Sequence, residues 1–279
     1  MRVFLLASIL GCDPTTSFAL TVGRSVLSMT GVPPSSASLH RYFILRHGET
    51  DANASGRIQG SADFSRLTER GQSQAARVGS VVFGGSDGEG SIDGPIRHVY
   101  ASPLTRAQET LQIIREHADP SLIPGEGEIV LDELREIDLY DWEGRHTSEI
   151  EENDPEAYAA WTMGDAHGME VSGCKPIVEM WARAGRVWEI IRSANAVAGR
   201  TDSDENPSST LLVCHGTLGQ GLLSSALGLD ETHFRRHDFP NCGMAEIVWY
   251  HDEEIARNWR WHHPSRSELM QPFDQTVLA

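Results

Sequence analysis

Three short apolar segments, each ending at a turn that carries an arginine or a histidine, constrain the possible fold of this chain more than any other feature. They are YFIL (42–45) with Arg46 and His47, HVYA (98–101) with Arg106 in the segment that follows, and LLVC (211–214) with His215. Apolar runs of this length are typical of buried strands. Strands of an open parallel sheet end at one edge that borders the binding crevice, so we expect these side chains to converge.

Segments with helical patterns lie between these strands. The predicted helices cover 68–82, 104–114, 177–191 and 219–227, and a further strand is predicted at 247–250. Thr68 stands at the first of these helices as a candidate cap. Hydrophobic residues make up 39% of the 279 residues, enough for a substantial core. The alternating order predicts an α/β fold, a three-layer α/β/α sandwich with a mostly parallel central sheet.

The charge balance excludes several classes of partner. Acidic residues number 40 against 23 basic ones, which gives a formal net charge of −17. Such a charge repels nucleic acid and anionic membrane surfaces, so we expect no nucleic-acid partner. A site for an anion such as phosphate would need its own local group of cations.

The first 39 residues have the composition of a targeting segment. An apolar run follows Arg2, and the stretch from Pro14 to Gly48 contains no acidic residue, while serine and threonine recur. The apolar run is too short to cross a bilayer. We interpret 1–39 as a cleaved presequence for an organelle, with a plastid as the specific hypothesis. The alternatives are a disordered tail on a secreted or a cytoplasmic protein. No integral membrane segment is expected in the mature chain.

The cysteines give no sign of a metal site. Cys12, Cys174, Cys214 and Cys242 form no C-x-x-C pair, so neither zinc ligation nor a disulfide framework is predicted. Cys214 and Cys242 are expected to be small buried side chains. We predict that the protein binds no metal and needs no cofactor.

The motif Arg46-His47-Gly48 is the strongest candidate for chemistry, although such a triplet alone is more often structural. Its support comes from residues at other strand ends and in the following loop, namely Asn53, Gln59, Gly60, Arg106, His215 and Gly216. Phosphoryl transfer spreads negative charge over equatorial oxygens that guanidinium and imidazole groups can stabilise. The combination therefore indicates a phosphate site.

Taken together, the strings RHGET, SPLTRAQET, LREIDLYDWEG and VCHGT resemble the histidine phosphatase superfamily, which includes phosphoglycerate mutase-like proteins. The resemblance covers residues 41 to about 250. The strings GRIQGSADFSRLT, LREIDLY and PIVEMWARA are further similar to the phosphatase domain of plastid 2-carboxyarabinitol 1-phosphate phosphatases. A phosphoglycerate mutase-like fold is the architecture that this resemblance implies.

The resemblance implies a role for each candidate residue. His47 is the nucleophile that forms a phosphohistidine, and Glu136 is the general acid and base. Arg46, Arg106 and a protonated His215 hold the phosphoryl group and complete the catalytic set. Substrate-binding residues are Arg46, Asn53, Gln59, Gly60, Arg106, His215 and Gly216. From its acidic surroundings alone, Glu136 could equally be a solvated carboxylate.

Some residues depart from the family pattern or have ordinary explanations. Tyr140 stands where many family members have glycine, which should narrow the space near Glu136. Lys175 lies in a stretch that replaces Gly-Gly-Glu-Ser, where it could contact a substrate carboxylate or simply be exposed. His262 and His263 are expected to be exposed. Four tryptophans are expected to pack in the core, namely Trp142, Trp161, Trp181 and Trp188.

Three functions remain open at this point. The first is a metal-independent phosphatase for a small phosphorylated metabolite, such as a sugar acid phosphate. The second is a phosphoglycerate-type mutase, which is disfavoured because no Arg-Arg pair occurs between Glu136 and Lys175. The third is a non-catalytic module that senses a phosphorylated ligand. The predicted domain spans 40–265 and a C-terminal tail spans 266–279, while the sequence does not determine the oligomeric state.

Overall fold

The computed structural model describes residues 39–85, 91–198, 208–250 and 252–262. The predicted C-terminal tail and, apart from Leu39, the predicted presequence lie outside this part of the chain, as does His263. The strands are β1 (Leu39–Arg46), β2 (His98–Ala101), β3 (Ile129–Val130), β4 (Ser208–Cys214), β5 (Met244–Tyr250) and β6 (Asn258–His262). The α-helices are α1 (Asp51–Ala54), α2 (Glu69–Val82), α3 (Thr105–His117), α4 (Thr147–Asn153), α5 (Pro155–Met163), α6 (Pro176–Ala198) and α7 (Gly216–Ala226). Short 3-10 helices span Asp132–Leu134, Tyr140–Trp142 and Glu231–Arg236.

The six strands form one mixed sheet in the order β3-β2-β4-β1-β5-β6. Strands β3, β2, β4 and β1 run parallel to one another, whereas β5 runs antiparallel to both of its neighbours, β1 and β6. The predicted fold class, an α/β fold with a mostly parallel sheet, is therefore confirmed. Arg46 is paired with Cys214 at the carboxyl ends of β1 and β4, so the segments that follow these two central strands start side by side.

Side chains of the central strands alternate between two cores. Tyr42 and Ile44 pack on one face of β1 with residues of α6 and α7, while Phe43 and Leu45 pack on the other face with residues of α2 and α3. Both faces of β1 are covered, which explains why its sequence is a continuous apolar run rather than an alternating one. Helices on both faces of the sheet make the three predicted layers.

Most predicted elements are present with small shifts at their ends. Thr68 caps α2 as expected, because its Oγ1 accepts a hydrogen bond of 3.0 Å from Gly71 N. Trp142, Trp188, Cys214 and Cys242 are buried, as predicted. None of the described helices is long and apolar enough to span a membrane.

The prediction that His262 is exposed is wrong. It ends β6, an edge strand that the polar sequence near the C-terminus did not indicate. His262 is 5% exposed, and its Nε2 lies 2.7 Å from Glu246 Oε2 on the neighbouring strand. A carboxylate on the facing strand, invisible to local sequence patterns, turns this polar residue into a buried one.

Candidate active site

The segment after β1 is held by backbone hydrogen bonds on both sides. His47 N donates to Cys214 O at 3.1 Å, and His47 O accepts from Cys242 N and from Asn241 Nδ2, each at 3.2 Å. The donors and acceptors come from β4 and from the segment before β5, which flank β1 in the sheet. The position of the His47 backbone is thus fixed before any ligand binds.

The ring of His47 is held in one tautomer. Its Nδ1 lies 2.7 Å from Gly48 O, and since a carbonyl only accepts, Nδ1 carries the proton and Nε2 keeps its lone pair. His47 is 2% exposed. Burial, together with the charges of Arg46 and Arg106, lowers its pKa well below the ordinary value of 6.5. The neutral, nucleophilic form is therefore the dominant one near neutral pH.

Arg106 enters the site from the first turn of α3, and its guanidinium is held on three sides. Nε donates to His215 Nδ1 at 3.2 Å, Nη2 to Gly60 O at 2.8 Å and Nη1 to Ala62 O at 2.9 Å. Burial lowers its pKa to about 10, so the side chain is still cationic at neutral pH. Two of its five N–H groups remain for an anion.

His215 follows β4 and lies next to His47, with ring centroids 5.2 Å apart. Its Nδ1 accepts from Arg106, so Nε2 carries the proton and donates to Ser102 Oγ at 2.7 Å. Burial and the charge of Arg106 lower its pKa well below 6.5. The expectation that His215 is protonated is therefore wrong for these surroundings, because a guanidinium occupies the nitrogen that would take the second proton.

Arg46, the last residue of β1, is half-buried and lies against Gly216 of α7. Its Nη1 donates to Phe239 O at 2.7 Å, and its Nε has no hydrogen-bond partner. Burial lowers the pKa of Arg46, while the negative charge of Glu136 raises it. A buried N–H without a partner is costly, so this side chain is suited to receive an anionic acceptor.

The carboxylate of Glu136 lies at the N-terminus of α7. Its Oε1 accepts from Leu218 N at 2.8 Å and from Ile137 N at 3.0 Å, and its Oε2 accepts from Thr217 N at 3.0 Å. Unpaired amides and the helix dipole make this end of a helix favourable for negative charge. Arg183 of α6 donates to Glu136 O at 2.6 Å and so fixes the backbone of the predicted acid.

Thr50 orients the side-chain amides of both Asn53 and Gln59 through hydrogen bonds. Asn53 Oδ1 accepts from Thr50 N at 3.2 Å, and Gln59 Oε1 accepts from Thr50 Oγ1 at 3.0 Å and from Ser65 Oγ at 2.5 Å. With the carbonyl oxygens engaged, the amide nitrogens are the groups left to donate. This agrees with the predicted role of both residues as neutral donors to a phosphate.

Three glycines are required by close approaches. A Cβ on Gly48 would lie 2.5 Å from Gly71 O, so this glycine lets the turn approach the first residues of α2. Gly60 has φ +52°, and a Cβ there would lie 2.2 Å from Glu143 Oε1. A Cβ on Gly216 would lie 3.1 Å from Arg46 Cζ. The carbonyl of Gly60 accepts a hydrogen bond from Arg106, and the absence of a side chain at Gly216 leaves room for the guanidinium of Arg46.

Sequence reasoning missed the residues that hold the site together. Ser102 contacts His215, and Thr110 Oγ1 accepts from Gly48 N at 3.0 Å while it donates to Arg106 O at 2.7 Å. Both are fully buried. Glu143 Oε1 accepts from Ser61 N at 2.8 Å and Leu139 N at 3.0 Å, which ties together two loops. The available signal in the sequence was that Ser102 and Thr110 belong to the string SPLTRAQET and Glu143 to the string WEG.

Tyr140 and Lys175, which depart from the family pattern, both contact other residues of the protein. Tyr140 has φ +50°, a conformation that glycine adopts without strain, and its hydroxyl donates to Glu179 Oε2 at 2.6 Å. Tyr140 is therefore linked to α6. Lys175 Nζ donates to His167 O at 2.7 Å and lies 3.4 Å from Glu170.

Comparison with known proteins agrees with this arrangement. Residues 42–262 match the family model for the histidine phosphatase superfamily, branch 1. This chain belongs to that superfamily. The resemblance to this superfamily that the sequence motifs indicated is thereby confirmed. Within the part of the chain that the structure describes, no group of three or more His, Cys, Asp or Glu side chains could hold a metal ion.

Similar sequences come from plants and bacteria. This histidine phosphatase is 33% identical over 77% of its length to 2-carboxy-D-arabinitol-1-phosphatase of Triticum aestivum, of which the match covers 38%. It is 31% identical over 78% of its length to the "Probable phosphoglycerate mutase GpmB" of Enterobacter sp., of which the match covers 88%. The chain thus spans less than two fifths of the plant relative.

Among solved structures, a mycobacterial glucosyl-3-phosphoglycerate phosphatase in complex with VO3 superposes with a TM-score of 0.60 at 26% identity, covering 80% of this chain and 97% of that one. "Mycobacterial hydrolase 1" superposes with a TM-score of 0.63, also at 26% identity, and covers 80% of this chain and 96% of its own. These likenesses agree with the family assignment.

Proposed function

We propose that this protein is a metal-independent phosphatase that hydrolyses a small phosphorylated metabolite through a phosphohistidine intermediate on His47. The observation that carries the proposal is the unprotonated Nε2 of His47, buried beside the guanidinium groups of Arg46 and Arg106 and the ring of His215. A neutral imidazole attacks phosphorus without a separate base. The surrounding cations stabilise the charge of the equatorial oxygens.

In the first half of the reaction, Nε2 of His47 forms a bond to phosphorus while the bond to the ester oxygen breaks. The leaving alkoxide takes a proton from Glu136. This step requires a proton on Glu136 when substrate is bound. The backbone amides of Thr217 and Leu218 position the carboxyl for this step.

In the second half, a water molecule attacks phosphorus and gives a proton to Glu136 as the bond to Nε2 breaks. Inorganic phosphate leaves, and His47 returns to its neutral form. Arg46 and Arg106 hold the phosphoryl oxygens in both steps, with Asn53 and Gln59 as neutral donors. Every group that takes part in these two steps is supplied by the chain, the substrate or water.

A sugar acid phosphate is the substrate class that we favour. The plant relatives carry the name 2-carboxy-D-arabinitol-1-phosphatase, and the chain matches them over about three quarters of its length. A phosphoglycerate mutase is the second candidate, because GpmB proteins match a similar share of the chain. A phosphatase is favoured because between Glu136 and Lys175 the sole arginine is Arg145.

An organellar location is a further proposal. Its support is the composition of residues 1–39 together with the plant origin of two of the most similar proteins. A plastid reached through a cleaved presequence fits both observations. The partner in every case is the phosphorylated substrate.

The decisive test is hydrolysis of p-nitrophenyl phosphate by the full chain with EDTA present. We expect phosphate release, and we expect His47→Gln to lower kcat/KM at least about a thousandfold because the nucleophile is lost. His167→Gln is the matched control, since that side chain is 67% exposed. Equal rates for His47→Gln and the parent would contradict the proposal. Conversion of 3-phosphoglycerate to its 2-isomer with a bisphosphate primer would favour the mutase instead.

A further inference from the structure

Arg235 is a cation on the segment that follows α7. It lies in the 3-10 helix Glu231–Arg236, which follows α7, and its side chain extends toward α5. Among the residues that the structure describes, no aspartate or glutamate forms an ion pair with it, and its two terminal nitrogens make no hydrogen bond. These terminal N–H groups are therefore available for a bidentate pair with a carboxylate.

The guanidinium of Arg235 is nevertheless held in place. Its Nε donates to Trp161 O at 2.7 Å, and its Cζ lies 4.1 Å from the centroid of the Trp161 ring and 5.1 Å from that of Phe234. A stacked guanidinium whose Nε is engaged presents its two terminal nitrogens along one edge. This edge is the geometry that a carboxylate accepts as a fork of two hydrogen bonds.

Two observations place Arg235 beside the phosphate site. It lies two residues before His237, whose carbonyl accepts a hydrogen bond of 2.8 Å from Gln220 Nε2 in the first two turns of α7, the end of the helix that holds Glu136. The negative charge of Glu136 acts on Arg46, Arg106 and Arg235 alike, raising the pKa of each against the effect of burial. Arg235 and the phosphate-binding arginines thus lie near the same end of α7.

Two other cations near the site, Arg183 and Lys175, have a carboxylate partner. Arg183 contacts Asp138 at 3.2 Å and Glu136 O at 2.6 Å. Lys175, which the sequence suggested as a contact for a substrate carboxylate, is bound to His167 O and close to Glu170. Arg236, the neighbour of Arg235, is exposed.

We propose that Arg235 is the specificity-determining residue of this enzyme and that it receives a carboxylate on the leaving group of the substrate. The inference rests on the proposed phosphatase function and narrows its substrates to phosphorylated hydroxy acids. The phosphoryl group lies on His47, Arg46 and Arg106, while the organic part extends past Glu136 toward Arg235 and Trp161. The face of α5 that carries Trp161 thereby forms one wall of the substrate site.

The test compares substrates that differ only in a carboxylate. The pairs are 3-phosphoglycerate with glycerol 3-phosphate, and 6-phosphogluconate with sorbitol 6-phosphate, and p-nitrophenyl phosphate serves as a substrate without a carboxylate. In the full chain, Arg235→Gln should lower kcat/KM for the preferred acid about ten- to a hundredfold, mainly through KM. Rates with the alditol phosphates and with p-nitrophenyl phosphate should stay within about twofold. Arg235→Lys should recover part of the loss, and Arg236→Gln should match the parent.

Binding to the His47→Gln chain, measured by calorimetry, separates this inference from the proposed function. If the parent chain does not release phosphate, the phosphatase proposal fails, but preferential binding of the acid that disappears in Arg235→Gln would still support the role of Arg235. A parent that binds neither acid better than its alditol partner would overturn the inference. So would an Arg235→Gln chain that slows all substrates equally, because the side chain would then be structural.

Discussion

The imidazole of His47 shows how burial and charge set the chemistry of one residue. Its Nδ1 donates a hydrogen bond to Gly48 O, and the positive charges of the two nearby guanidinium groups disfavour protonation of Nε2. A free histidine would lose half of its nucleophilic form near pH 6.5, but this one stays neutral well below that pH. The surroundings thus provide an activated nucleophile without a partner base.

The pH dependence of the reaction follows from this shift. The folded-state pKa of His47 is lowered, so the active neutral form persists as the pH falls through 6.5. We expect kcat/KM for p-nitrophenyl phosphate, corrected for the ionisation of the substrate, to be nearly constant from pH 7 to about 5.5. Steady-state rates in a constant-ionic-strength buffer series would measure this. A tenfold loss between pH 7 and 5.5 would contradict it.

At the scale of single residues, the sequence was sufficient for the groups that carry charge and insufficient for the groups that orient them. Arg46, His47, Arg106 and His215 lie within recognisable strings at strand ends. Ser102 and Thr110 are ordinary hydroxyl residues whose significance depends on partners more than sixty positions away along the chain, such as the 113 positions between Ser102 and His215. Local patterns contain no information on such pairs.

At the scale of elements, turns that follow the strands place the site. The turn at Gly48 passes so close to the start of α2 that a Cβ would meet Gly71 O at 2.5 Å. Gly48 N also donates to Thr110 of α3. The positions of His47, α2 and α3 are therefore mutually dependent.

Gly48→Ala should separate these elements, because the obstacle is backbone rather than a flexible side chain. We expect a loss of about 2 kcal/mol of unfolding free energy and a fall in kcat/KM of at least about tenfold. The matched control is Gly185→Ala in α6, where a Cβ meets nothing within 4 Å. Alanine should stabilise that helix by about 0.5 to 1 kcal/mol. Urea unfolding of both variants measures the contrast, and equal effects would contradict the interpretation.

At the scale of the whole molecule, a buried ionic cluster joins the strands at one side of the sheet. Glu246 of β5 is 2% exposed and contacts Arg41 of β1 at 2.6 Å and His262 of β6 at 2.7 Å, with Arg260 also bound. Burial alone would raise the pKa of Glu246, but the hydrogen bonds from His262, Arg41 and Arg260 lower it to about 2. The cluster links three adjacent strands of the sheet, β1, β5 and β6.

Stability at acid pH should depend on this carboxylate. Because its folded-state pKa lies below the unfolded value of 4.5, its contribution is complete above pH 4.5 and is lost as the pH falls toward 2. Glu246→Gln should lower the unfolding free energy at pH 7 by about 3 kcal/mol, since the buried Arg41 would lose its close carboxylate and keep the exposed Asp93, 3.8 Å away.

Urea unfolding at pH 7 and pH 3 tests this expectation. The difference between Glu246→Gln and the parent should be clearly smaller at pH 3 than at pH 7. Glu149→Gln, which removes the exposed pair with Arg145, should change stability by less than about 0.5 kcal/mol. A difference for Glu246→Gln that is the same at both pH values would show that the charge is not responsible.

The sequence by itself determined the layer architecture and the charged members of the site. Strands that are buried on both faces must be apolar, and a phosphate site at the edge of a sheet must have cations at the strand ends. Both requirements act on short segments and therefore leave a recognisable pattern of residues in the sequence. Only the tertiary structure decided the protonation of His215, the burial of His262 and the position of Arg235 against Trp161. Each of these depends on electrostatic contacts between residues distant in sequence, and such contacts exist only when the sheet and its helices are assembled.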